Sequence, residues 1–213
     1  PRKYPDSIRW NFSIIIVLLH TNLKKRIRNR YSFSMTLPNK HENITEYLLY
    51  MWQVEDMLRV FELDLDKLKK QLIDPLNLSD EQKQELCERY DNLIQMMKME
   101  GVQKEGHLQI NKNVIIELTD LHLRLLNDPK ESTYIAVYYS TLPYIVELRS
   151  KSINKDIPEI EVCFVAVYGY LLLKIQKKEV SLATQAAIKQ ISALLRQLSE
   201  KYKTMDSESE GEY

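Results

Sequence analysis

From Glu42 onward, apolar residues recur every three or four positions, with polar residues between them. Wound at about 100° per residue, Ile44, Tyr47, Leu48, Met51, Val54, Leu58 and Phe61 form one stripe. The spacing predicts a helix from about Asn43 to Phe61, which "ELDLDKLKKQLI" continues or restarts. Asp74–Pro75 closes that segment, because proline lacks a donor and its ring collides with the preceding turn. Ser79, with Gln82 three residues on, forms a capping-box pattern. The next helix carries Leu86, Tyr90, Leu93, Ile94 and Met97, and ends near Gly101 and Gly106. Val114, Leu118, Leu121 and Leu125 mark another, stopped by "NDPKE".

That stop also reads as a start, with Asp128 as N-cap, Pro129 at the first helical position and Glu131 at the third. The helix that follows contains Pro143, so a kink is expected near Tyr139. "DIPEIE" opens the next helix, with Glu159 and Glu161 at its positive end. Its run "VCFVAVYGYLLL" is apolar all round and too short for a bilayer, which predicts a buried central helix. Ser181 caps a last helix with a stripe of Ala187, Ile188, Ile191, Leu195, Leu198 and Tyr202. No alternating run of strand length interrupts the series. The pattern predicts an all-α fold, a single-domain, mostly antiparallel bundle of six or seven helices.

Charge changes this picture at the ends. Of 30 basic and 30 acidic side chains, eight and one fall in residues 1–34, leaving 22 and 29 for residues 35–213, a net of −7. The basic leader is therefore unlike the body. Its "NFSIIIVLLH" is followed by "KKRIRNR" rather than by a cleavage site, and the first methionine is Met35. Residues 1–34 are expected to be a non-native or disordered extension, residues 35–204 the helical domain and residues 205–213 an acidic disordered tail. The acidic body argues against nucleic acid as its partner. Residues 42–66 alone hold seven acidic side chains against Arg59, which would suit a basic patch on a partner.

The chemistry that can be recognised is mostly negative. Gly101 and Gly106 have phosphate-loop spacing, but His107 and Leu108 stand where Lys and Ser or Thr are needed, so the stretch reads as a turn. Cys87 and Cys163 are far apart and read as small buried hydrophobes in a reducing compartment. The histidines are scattered, with no metal-ligand spacing; no catalytic residue, metal or cofactor is predicted.

Glu55 is the anomaly, because it lies in the middle of the first helix's apolar stripe. A buried carboxylate must be paired, protonated or wetted, and Arg59 one turn on is the nearest partner in sequence. His122 lies among Ile115, Leu118, Leu125 and Leu126, on the inner side of its own helix. Tyr138, Tyr144 and Tyr168 read as inward on later helices. Joined, Glu55, Arg59, His122 and these tyrosines predict one buried polar network, with Tyr50 and Trp52 as an aromatic wall. It would either fix helix register or form a pocket for a small ligand.

"ENITEYLLYMWQVEDMLRVF" resembles the opening of an uncharacterised bacterial family of unknown function, DUF4924, and "LLLKIQKKEVSLATQAAIKQISALLRQLS" is similar to its last helices. The resemblance spans roughly residues 40–202 and implies a small all-helical bacterial protein of the cytoplasm. It carries no catalytic residues to transfer. The expectation is a helical binding or protein-interaction module with an unknown protein or small-molecule partner and no membrane span. The alternative is a small-molecule site or enzyme built on Glu55, Arg59 and His122.

Overall fold

The computed structural model describes residues 37–152 and 156–210. The expectation for residues 1–34 lies outside the described residues, as does the end of the acidic segment. Among these residues seven α-helices follow one another: α1 (Ile44–Val60), α2 (Leu65–Leu68), α3 (Asp80–Met99), α4 (Gln109–Asn127), α5 (Ser132–Lys151), α6 (Glu159–Ile175) and α7 (Leu182–Glu210). Among the described residues there is no strand, so the all-α bundle predicted from periodicity is the observed architecture. These residues fall into two compact units, divided within α4 between Val114 and Ile115.

In the first unit, Asn43 caps α1 by accepting from the Glu46 amide at 3.1 Å. Glu62 and Leu63 then take φ of 60° and 55°, a left-handed conformation that costs roughly 1–2 kcal/mol per residue. Those two residues end α1, and Asp64 restarts the chain by capping α2 through the Lys67 amide at 3.0 Å. A π-helical turn, Lys69–Ile73, follows ahead of Pro75. Ser79 and Gln82 form both arms of the capping box on α3, at 3.2 and 3.1 Å. Met51, Val54, Leu58, Leu68, Ile73, Leu86, Ile94, Met97 and Leu108 make one core. Full burial of such a side chain contributes about 1.5–3 kcal/mol, so this cluster is what holds α1, α2 and α3 together.

In the second unit, α5, α6 and α7 pack pairwise on one another. Asp128 caps a 3-10 turn, Pro129–Glu131, which leads into α5. Pro143 sits inside α5 without ending it. Ile160, Val162, Cys163, Phe164, Ala166 and Leu172 bury α6. Ile188, Ile191, Leu194, Leu195, Leu198 and Tyr202 do the same for α7. Cys163 is buried while Cys87 is only half-buried, and both are free thiols. α7 runs to Glu210, into the acidic segment that begins near Met205, as adding a residue to an existing helix is far easier than starting one. No helix among the described residues is long and apolar enough to cross a membrane.

Candidate functional site

Glu55 and His122 each anchor a polar cluster, with different partners. Glu55 is 1% exposed on α1. Its carboxylate accepts from His107 Nδ1 at 2.5 Å, from the Leu108 amide at 2.8 Å and from Asn111 Nδ2 at 2.7 Å. Gly106, at φ +83°, turns the chain so that His107 and Leu108 lead directly into α4. The carboxylate therefore meets the Leu108 amide at the entry to a helix, where unpaired N–H groups and the helix dipole favour negative charge. The His107 ring stacks on Trp52, centroids 4.2 Å apart and 13° from parallel. One cost remains: among the described residues the buried Asn111 Oδ1 has no hydrogen-bond donor.

Arg59 is not Glu55's partner. Its Nη1 pairs with Asp56 at 2.8 Å, the residue next to Glu55 on the same turn. Its Nη2 donates to the Val102 carbonyl at 3.1 Å and to the Gly106 carbonyl. Arg59 thus ties the loop between α3 and α4 to α1. Tyr50 is buried in the same unit beside Arg89 and Tyr90, and burial pushes its hydroxyl pKa up.

The His122 cluster opens onto a groove. His122 is 3% exposed, its Nδ1 2.7 Å from the Tyr134 hydroxyl. Tyr134 and Tyr138 make T-shaped contacts with its ring, with centroids 5.8 and 5.0 Å away. Tyr138 donates its hydroxyl to Glu159 Oε2 at 2.9 Å, and His122 Nε2 lies 4.0 Å from that same oxygen. On the other side of Glu159, Arg149 Nη1 stands 3.6 Å from Oε1, while Nη2 donates to the Ile157 carbonyl at 3.1 Å. Arg149 Nε is buried and has no acceptor among the described residues. The groove has a volume of about 540 Å³; Thr119, His122, Tyr138, Arg149, Asp156 and Glu159 are its polar walls, with Leu123, Leu126, Ile157 and Pro158 apolar.

Electrostatics follow from burial. Desolvation lowers the His122 pKa, opposed by Glu159, so the imidazole is held neutral more firmly than a free one. Burial pushes Tyr138 up to about 12, with its hydrogen bond to Glu159 adding to the shift. Burial also raises Tyr134. Both phenols remain donors at neutral pH, and the neutral imidazole has one donor and one acceptor nitrogen.

The single network expected from sequence is thus redistributed. Glu55 goes with His107, Leu108, Asn111 and the Trp52 ring; His122 goes with Tyr134, Tyr138, Glu159 and the groove. Tyr144 is half-buried and has no part in either cluster, because its position on α5 places it beside rather than on the buried Tyr138 and Ile145 face. Tyr168 is buried on α6. Among the described residues, no group of three or more His, Cys, Asp or Glu could hold a metal ion.

The family model described as Domain of unknown function (DUF4924) matches residues 35–209. The chain belongs to that family. The match runs through both DUF4924 units and so takes in both clusters. Comparison with curated proteins and with solved structures returns no match.

Proposed function

We propose that this DUF4924 protein is a non-catalytic binding module of the bacterial cytoplasm, and that its ligand site is the groove beside His122. The observation that carries this reading is the convergence of Arg149, Glu159, Tyr138 and a neutral imidazole on one groove that Leu126, Ile157 and Pro158 also line. A few convergent polar groups in a concave apolar setting, at a volume of this order, are what small-molecule sites have in common. Glu55 supports the reading by contrast. Three donors already hold its carboxylate at the start of α4, which suits a fixed structural joint.

Nothing in the groove is arranged as a nucleophile with a base, which favours binding over catalysis. The experiment is a thermal-shift and NMR screen of small polar metabolites against the full chain. The expected result is a saturable ligand whose chemical-shift changes centre on His122, Tyr138 and Arg149. Saturable binding with changes centred on His107 and Leu108 would move the site to Glu55 and defeat the reading.

A second reading, a protein partner, rests on exposed apolar pairs. Ile116 and Leu123 lie seven residues apart on α4, and Tyr139 and Val146 seven apart on α5. Residues spaced by seven share a helix face. Loss of partner capture on Tyr139→Ser and Val146→Ser, with small-ligand binding absent, would favour that reading.

A further inference from the structure

Arg149 and Glu159 stand side by side without completing a pair. A hydrogen-bonded guanidinium–carboxylate contact closes to about 2.7–2.9 Å, and here Nη1 and Oε1 remain 3.6 Å apart. Each group is nevertheless held in place. Arg149 is fixed by the Ile157 carbonyl and Glu159 by the Tyr138 hydroxyl. Among the described residues the buried Arg149 Nε–H has no acceptor, a cost the fold carries without return. The Arg149 Nη1 and the Glu159 Oε1, left 3.6 Å apart on one groove wall, are suited to two opposite charges at once.

We propose that the groove binds a free α-amino acid with a bulky aliphatic side chain, its carboxylate on Arg149 and its ammonium on Glu159. This rests on the groove being the ligand site. A simple anion would meet the carboxylates of Glu159 and Asp156, and a simple cation would meet Arg149, whereas a zwitterion places each charge against its opposite. The 3.6 Å between the two wall charges selects charges one carbon apart, as in an amino acid, over the separated termini of a peptide. Leu123, Leu126, Ile157 and Pro158 provide the surface for the side chain.

The test is calorimetry and NMR on the full chain with three probes: L-leucine, 3-methylbutylamine and 4-methylpentanoate. The last two are leucine without its carboxylate and without its ammonium. The expected result is that leucine binds at least ten-fold more tightly than either half, shifting the Arg149 Nε–H and His122 signals. Arg149→Gln should weaken leucine at least ten-fold and leave the amine unchanged; Glu159→Gln should weaken leucine and leave the carboxylate unchanged. If a half-molecule binds in the groove as tightly as leucine, the zwitterion is overturned while the groove remains the site. If none of the three perturbs groove signals in the wild-type chain, the proposal also fails, and the wider metabolite screen decides the groove on its own.

Discussion

Two buried polar side chains, each surrounded by apolar neighbours, have been treated in opposite ways. Glu55 is closed. Its oxygens receive two side-chain donors and a backbone amide, and an aromatic stack covers the histidine that supplies one of them. The His122 cluster is open. It ends in the 26% exposed Glu159 carboxylate and the Arg149 guanidinium, 3.6 Å apart and both lining a groove. A charge enclosed by fixed donors at a helix start acts as a fastener, because any change strands one of those donors. A charge left half-paired at a concave surface keeps its interaction energy for something else.

The largest expected effect should come from the closed side. Arg59→Ala removes the Asp56 pair and the bonds to the Val102 and Gly106 carbonyls, and should cost about 3 kcal/mol in urea unfolding. A loss of a few tenths would show that the loop between α3 and α4 holds itself. His107→Phe keeps the stack on Trp52 but removes a donor to Glu55, so a loss of about 1–2 kcal/mol is expected. No loss there would make the aromatic contact, not the hydrogen bond, the fastener.

The open side should show itself through pH. Burial lowers the His122 pKa from 6.5, so below that value the unfolded chain takes up a proton that the folded chain resists. Stability is therefore complete above about pH 6.5 and declines as the pH falls through that value. His122→Gln should flatten the decline, measured as urea midpoints between pH 7.5 and 5.5; an unchanged slope would assign it to other groups. The smallest effect is reserved for the exposed face. Tyr139→Ser, at a residue 64% exposed, should change stability by less than about 0.5 kcal/mol. A larger loss would mean that this face is covered in solution.

The comparison also marks where sequence reasoning reaches its limit. Helix starts and stops were legible because each is a local event: Ser79 with Gln82, Asp128 with Pro129, and Gly101 and Gly106 all act within one turn of where they stand. The oddity of Glu55 and of His122 was legible too, from a polar residue on an apolar stripe. Their partners were not. A helical wheel finds only residues three or four positions away, and so proposes Arg59, whereas His107 is 52 residues distant in sequence.

Asn111 carried a signal that could have been read. It lies four residues before Ile115 and seven before Leu118, on the buried stripe of α4, and is fully buried. Glu159 was recognised only as a charge suited to a helix start, and Arg149 not at all. Their meeting depends on the turn between α5 and α6, which no periodicity encodes.

The central claim is that Glu55 is a fastener and the Arg149–Glu159 pair is not. Urea unfolding of the full chain at neutral pH, with Glu55→Gln beside Glu159→Gln, tests it most directly. Both substitutions exchange a carboxylate for a near-isosteric amide. The account predicts a loss of roughly 2–4 kcal/mol for Glu55→Gln and less than about 1 kcal/mol, or a gain, for Glu159→Gln. Equal losses, or the larger loss at Glu159, would contradict it.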